Sequence, residues 1–452
     1  MYRVINPATG AVEQEFPTMT DQAAHDAVER ADAAHQRWRE APLAERAARL
    51  RRAAELFEER ADELALLVMR EMGKRPAEGK GELALTANIF RYYADNGESM
   101  LADESIEVEG GRAIIEKRSI GALIGIMPWN YPYYQVARFA APNLLLGNTI
   151  LLKHAPNCPT SSAAIEKLLH DAGVPTGAYI NIYASNEQIA WMLADPRIHG
   201  VSLTGSERAG AAVAAAAGQN LKKVVLELGG SDPFIVLDTA DVQETAALAV
   251  AARMGNAGQA CNAPKRMIVL SDIYDDFVAA VTAEAARLTP GDPEEESTTL
   301  APLSSAEAAD NLSAQIAKAV EQGAVVRTGG RRLDRPGSFI EATVLTDVRP
   351  GTDAYSEELF GPVAVVYRAE NEDEAVRLAN DNPYGLGAAV FSTDVERARE
   401  IGRRLEVGMV YINAPEGSQA DLPFGGIKRS GMGRELGSLG IEEFMNKRIV
   451  RL

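Results

Sequence analysis

Cysteine is scarce: the 452 residues hold only Cys158 and Cys261, in segments of different character. That excludes a disulfide framework and a zinc site built of thiolates, so each thiol has to be explained as packing or as chemistry. Long apolar runs are missing too. No stretch approaches the roughly 18 uncharged apolar residues of a membrane-spanning helix. The opening Met-Tyr-Arg-Val-Ile-Asn lacks the apolar core of a signal peptide, and a cytoplasmic location is the expectation. Positive charge is in deficit, with 46 Lys plus Arg against 64 Asp plus Glu and a net charge of -18. Such a surface repels nucleic-acid phosphates and anionic bilayers, so neither is an expected partner, and an anionic substrate needs a local cation. What is present is ordinary. With 46% hydrophobic and 24% charged residues the chain has the balance of an enzyme of two or three lobes, and disorder is excluded as its main character.

Apolar residues at three- and four-residue spacing, among them Leu50, Ala54, Phe57 and Ala61, predict a helical layer from Thr20 to about Asn96, with no chemistry evident in it. Residues 105 to 118 form two short runs around Gly110-Gly111, a β-hairpin that is either a connection or an arm for subunit contact. From Gly121 apolar runs at 122–127, 149–154, 179–184, 200–205 and 224–229 alternate with helical stretches at 132–145, 160–171, 187–194 and 206–217. This βα alternation predicts a parallel sheet covered on both faces, the usual home of a nucleotide. A second series, with runs at 267–270, 324–329, 363–368, 388–391 and 410–413 and a helix over 272–288, predicts a second α/β lobe. The acidic stretch 290–300 reads as a solvated loop.

Four places could carry chemistry. Gly205-Ser206 leaves a strand and opens a helix; it fits neither the dinucleotide fingerprint nor the P-loop, and is either a phosphate cradle or a plain turn. Cys261 lies in the loop GNAGQACN, flanked by polar and glycine residues, where a thiol is either a reachable nucleophile or packing; Cys158, ahead of a helix, reads as inert. Glu227 ends the apolar strand VVLELGG and is either a base whose pKa burial raises or a carboxylate satisfied by local N–H groups. Asn130, in MPWNYP with Pro132 at a helix start, either caps that helix or stabilises an oxyanion.

Taken together, MPWNYP, TILLKHAP, SLTGSERAG, LELGGSDP, NAGQACNA, EELFGPV and PFGGIKRSGMGRELG, in this order, resemble the aldehyde dehydrogenase superfamily over nearly the whole chain. Within it the short form and the KHAP sequence resemble the NADP-using succinate-semialdehyde dehydrogenases. The resemblance implies an α/β fold with two α/β lobes. These are a Rossmann-like cofactor domain (1–103 and 120–229) and a catalytic domain (230–425), with a small β oligomerisation arm (104–119 and 440–452) in a homodimer or homotetramer. It implies Cys261 as nucleophile, Glu227 as general base, and Asn130 with the Cys261 N–H as oxyanion hole. For the cofactor it implies Met127, Pro128, Trp129, Lys153, Ala155, Pro156, Gly205, Ser206, Leu228, Gly229, Glu358 and Phe360. NADP is expected over NAD because Pro156 stands where NAD-selective members often carry a glutamate that repels a 2′-phosphate. No metal is expected.

For the substrate the resemblance implies Arg138, eight residues after Asn130, as the grip on a distal carboxylate, with Ser418 beside it. Three positions depart from relatives. Gly255 stands where some carry a further arginine, Glu416 would repel an anion if it pointed inward, and Ala263 replaces a second cysteine that others use as a redox lock. The expected reaction is oxidation of succinate semialdehyde, or a similar short ω-carboxy aldehyde, to the acid. The alternatives are a broad-range dehydrogenase of neutral aldehydes and, remotely, a non-catalytic structural member.

Overall fold

A computed structural model describes residues 1–452. Its centre is a sheet in the spatial order Gly431–Met432, Lys223–Glu227, Ile198–Thr204, Ala122–Met127, Thr149–His154, Tyr179–Asn181. The last five strands run parallel and the first is antiparallel. Chain order reverses between Ala122–Met127 and Ile198–Thr204, so a crevice opens beyond their carboxyl ends. The two interior strands predicted at 122–127 and 149–154 have these same bounds, because they are apolar and covered on both faces. The run at 179–184 pairs only over Tyr179–Asn181, where it forms the sheet edge with a single neighbour.

The predicted helical layer is four helices, Asp21–Trp38, Leu43–Glu59, Ala61–Met72 and Pro76–Leu101. Thr20 caps the first through Ala23 N, and Gly73 ends the third with φ of 80°. Pro76–Leu101 lies between Leu43–Glu59 and the buried helix Pro132–Leu146. Preceding them is a hairpin, Tyr2–Ile5 with Val12–Phe16, that no run in the sequence announced.

The second lobe has its own seven-stranded sheet: Val325–Thr328, Thr343–Thr346, Val363–Ala369, Arg266–Leu270, Pro233–Val236, Gly387–Phe391, Met409–Ile412. All but the first run parallel. Its interior member Pro233–Val236 went unpredicted, since three apolar residues behind a proline are too few to tell strand from loop. In the acidic stretch Glu294, Glu295, Glu296 and Ser297 are exposed, as predicted, while Pro290 and Leu300 bridge at its base. The hairpin Glu104–Val108 and Gly111–Ser119 gains a third strand, Met445–Arg451, in full antiparallel register.

Buried Asn148 fixes the root of that three-stranded sheet. Its Oδ1 accepts from Ile120 N (2.8 Å) and Gly121 N (3.1 Å), and its Nδ2 donates to Asn143 Oδ1 (2.9 Å) and Phe444 O (3.0 Å). All its hydrogen-bonding capacity is used without water. Asn148→Ala strands four groups, three of them in buried bonds, and a loss of about 2–4 kcal/mol is expected from the urea midpoint. A loss below about 0.5 kcal/mol would show that the root is held elsewhere.

Candidate active site

Cys261 follows a turn in which Asn256, Ala257 and Gly258 all take positive φ, 52°, 53° and 72°. Gly258 does so freely, and any Cβ there would strike the Gly361 carbonyl. Asn256 and Ala257 carry strain of about 1 kcal/mol each, so the turn has to be held. Asn256 N donates to Glu78 Oε1 (2.9 Å), and its Nδ2 to the carbonyls of Asn130 (3.0 Å) and Gln259 (3.2 Å). Gln259 Nε2 returns a bond to Asn256 O (3.1 Å), and its Oε1 accepts from Ser304 N (3.0 Å).

Two buried cations grip the main chain on either side of the thiol. Arg253, in no ion pair, donates to the carbonyls of Gly258 (3.0 Å), Leu359 (2.7 Å), Gly361 (2.6 Å) and Val363 (2.8 Å). Burial lowers its pKa to about 9. Lys265 donates to the carbonyls of Ala260 (2.9 Å) and Cys261 (2.7 Å) and pairs with Glu358 (3.1 Å). A trans peptide points its N–H away from its C=O. With the Ala260 carbonyl turned to Lys265, the Cys261 N–H faces the opposite side, and no acceptor in the chain takes it.

Cys261 and Gln135 are shared by two chambers. One, of about 290 Å³, is walled by Trp129, Asn130, Gly205, Glu227, Glu358 and Phe360, at the crevice where strand order reverses. The other, of about 340 Å³, is walled by Tyr131, Tyr134, Asn262, Glu416 and Ser418 and, from the helical layer, by Glu78 and Glu82. The helical layer thus contributes to the site, which its sequence had not suggested. Asn130 is not a helix cap: the cap position is Tyr131, and Asn130 Nδ2 donates one hydrogen to Gln259 O (3.0 Å). The helix N-terminus is held instead by Glu82, whose Oε1 accepts from Tyr133 N (2.8 Å) and Tyr134 N (3.1 Å) while its other oxygen pairs with buried Lys74.

Glu227 is 1% exposed and neither carboxyl oxygen has a hydrogen-bond partner, so it is not satisfied by local N–H groups. Burial raises its pKa well above the carboxylate range, tempered by Arg138. Burial also pushes the Cys261 thiol up to about 11. Cys158 is wholly buried, with its thiol against the Trp129 carbonyl.

On the 290 Å³ side, Ser206 caps the helix Glu207–Gln219 through Ala209 N (3.4 Å) and, with Gly205, Pro128, Leu228 and Gly229, faces the chamber. Glu358 Oε1 also accepts from Gly230 N (3.2 Å), and the Trp129 and Phe360 rings meet edge to face at 5.8 Å. Lys153 lies in a separate groove of about 200 Å³ beside Asn186 and Leu203. It is 8% exposed, and no carboxylate or hydrogen-bond acceptor of the chain meets its ammonium. Met127, Ala155 and Pro156 line none of these spaces; Pro156 is exposed beyond the strand that carries Lys153.

Arg138 is not at a chamber surface. It is 1% exposed, its Nε lies 2.8 Å from Glu435 Oε2, and its guanidinium is sandwiched by the rings of Tyr134 (4.8 Å) and Phe424 (4.5 Å). It donates to Gln135 Oε1, to Thr204 Oγ1 (3.2 Å) and to Tyr134 OH (3.3 Å), and Tyr134 OH donates to Ser418 Oγ (2.7 Å). The expected direct grip on a substrate is therefore corrected to a position one layer back, because Tyr134 and Phe424 stand in between. Helical spacing alone could have found Tyr134, four residues before Arg138. Arg253, Lys265 and Glu435 gave no such signal.

The family model described as Aldehyde dehydrogenase family matches residues 1–450. A succinate-semialdehyde dehydrogenase (NADP+) of Deinococcus radiodurans is 54% identical over 450 residues, covering 100% of this chain and 94% of that protein. A succinate semialdehyde dehydrogenase (NAD(P)+) of Escherichia coli is 43% identical, covering 98% of this chain and 96% of that protein. The crystal structure of succinic semialdehyde dehydrogenase from Streptococcus pyogenes in complex with NADP+ superposes with a TM-score of 0.98 at 42% identity, covering 100% of both chains.

A thiol with a pKa near 11 gains thiolate about tenfold per pH unit below that value. Iodoacetamide should accordingly label the free protein at Cys261 at a rate rising about tenfold per unit from about pH 7 to 10, and should spare Cys158. Labelling that is flat with pH, or that persists in Cys261→Ala, would contradict the assignment.

Proposed function

Because the chain belongs to the aldehyde dehydrogenase family, we propose that it oxidises succinate semialdehyde to succinate with NADP+. The observation that carries the reaction is a thiol with an unclaimed N–H standing where two chambers meet. Cys261 Sγ adds to the aldehyde carbon. The oxygen that gains charge is stabilised by the Cys261 N–H and by the second hydrogen of Asn130 Nδ2, each such donor contributing about 3 kcal/mol in comparable sites. With its nicotinamide end in the 290 Å³ chamber, NADP+ would supply the acceptor for the hydride that leaves this carbon. Cys261 then holds the acyl group as a thioester. Glu227 takes a proton from water, the hydroxide adds to the thioester carbon, and the C–S bond breaks to return the thiol and release the acid. Its raised pKa makes Glu227 a better match to that proton than an exposed carboxylate.

Lys153 supports the choice of cofactor. A nearly buried ammonium with no hydrogen-bond or ion-pair partner in the chain fits a group rich in hydroxyl and phosphate oxygens, and at Pro156 no carboxylate competes for it or repels a 2′-phosphate. Gly205 and Ser206 offer the amino end of a helix to the pyrophosphate, and Glu358 with Phe360 holds the nicotinamide ribose, flanked by Trp129, Leu228 and Gly229. The three-stranded sheet at 104–119 and 445–451 supports contact between copies in a dimer or tetramer, with Ile449 69% exposed on it.

Substrate recognition rests on a relay of donors pointing one way. Arg138 donates to Tyr134 OH, which donates to Ser418 Oγ, and this leaves the Ser418 hydrogen for an acceptor in the chamber. A distal carboxylate is the acceptor that such a charge-backed relay suits best. The specific observation favouring neutral aldehydes instead is that no Lys or Arg lines this chamber.

Three measurements decide. In a panel of succinate semialdehyde and butanal, each with NADP+ and NAD+, kcat/KM should be highest for the first aldehyde with NADP+. Tyr134→Phe and Ser418→Ala should raise KM for succinate semialdehyde about tenfold, the worth of one charge-assisted hydrogen bond, and leave butanal unchanged. Equal losses on both aldehydes would favour the neutral reading. Glu227→Gln should keep a single-turnover burst of NADPH and lose steady-state turnover; loss of the burst would move Glu227 to thiol activation.

A further inference from the structure

Glu416, in the wall of the substrate chamber, and Asp232, buried behind it, are two carboxyl groups with no part in this chemistry. Asp232 precedes the strand Pro233–Val236, and Glu416 lies in the loop after Met409–Ile412. They meet over Gly387, where a Cβ would strike Glu416 Oε2 and come within 3.2 Å of Asp232 Oδ2. The two carboxyls face each other there, and no donor of the chain is within hydrogen-bonding reach of Asp232 Oδ2 or of either Glu416 oxygen. Two carboxyl oxygens can bond only with a proton between them. The groups facing the pair do not remove that need. Lys265 is committed to the carbonyls of Ala260 and Cys261 and to Glu358, and Arg266 to the carbonyls of Ser231, Leu378 and Ala379. Tyr411 donates to Gly417 O (2.6 Å), and Cys261 is the remaining titratable neighbour. Burial raises Asp232 to about 6 and Glu416 well above the carboxylate range, so the two titrate as a pair and a proton they share is held by Glu416 in preference to Asp232.

We propose that the shared proton of Asp232 and Glu416 sets whether the chamber accepts a carboxylate. With the proton in place Glu416 is neutral, two residues from Ser418, and an anionic aldehyde can use the Ser418 hydroxyl. Without it Glu416 adds a negative charge to the chamber wall, and the site turns toward neutral aldehydes. This deepens the ω-carboxy aldehyde reading and rests on it.

The test reads the ratio of KM for succinate semialdehyde to KM for butanal from about pH 6.5 to 9.5. Ionisation of Cys261 or Glu227 acts on both aldehydes alike and cancels in the ratio. The ratio should rise with pH in the wild type and stay flat in Glu416→Gln, which keeps a neutral hydrogen-bonding side chain. Burial and the Asp232 charge both hold the proton on Glu416, and Asp232→Asn removes the second of these. It should raise the ratio about tenfold near pH 7, the effect of one charge in a partly solvated chamber. Adding Glu416→Gln to Asp232→Asn should bring it back. A Glu416→Gln enzyme with the wild-type pH dependence would overturn the proposal, as would an Asp232→Asn enzyme whose two KM values rise equally; if Asp232→Asn does not fold, Glu416→Gln decides alone. A wild type that favours butanal at every pH refutes the substrate reading, while the change of ratio between wild type and variants still decides the role of the pair.

Discussion

The site depends on main-chain carbonyls being pulled away from it. Arg253 and Lys265 together donate hydrogen bonds to six carbonyls around the Cys261 loop and the segment after Glu358. A carbonyl turned inward toward a buried cation forces the neighbouring amide hydrogen outward, so two side chains that never touch a substrate orient the N–H that does. The left-handed turn at Asn256–Gly258 is affordable only within this grip. It also couples the thiol to the Glu358 and Phe360 segment, because Arg253 bonds both, and displacement of one drags the other.

The charges in the interior divide by what their hydrogen bonds achieve. Glu82 with Lys74 is satisfied on every side and fixes the first turn of the helix Pro132–Leu146, which carries Tyr134 and Arg138 and follows Asn130. Glu227 is left unsatisfied, and the burial that raises its pKa makes its ionised form a stronger base toward water. A structural carboxylate and a reactive one are therefore told apart by the count of donors around them, at similar depth.

That count is what the sequence could not supply. Interior strands such as Ala122–Met127 and Thr149–His154 were legible because burial on both faces writes a continuous apolar run. The edge at Tyr179–Asn181 and the short Pro233–Val236 were not, since pairing partners rather than composition set their limits. Cys261 and Cys158 could be told apart by flanking residues, and the structure agrees with one accessible and one buried thiol. Arg138 exposes the limit of helical spacing: it fixes the face on which a residue lies and not its depth, and here two aromatic rings intervene. Asp232 and Glu416 are brought together only by the second sheet, and no local pattern in the chain links them.

The pairing of Gly431–Met432 with the end of Lys223–Glu227 has a consequence for the order of assembly. The outer member of the first sheet comes from beyond the whole second lobe, so during synthesis the strand bearing Glu227 presents an open edge until almost the entire chain has emerged. Such long-range closure is slow, and an uncovered edge invites pairing with other chains. The environment that makes Glu227 a base is thus among the last to form, and a chain arrested before this segment would leave that carboxylate at an open edge of its sheet.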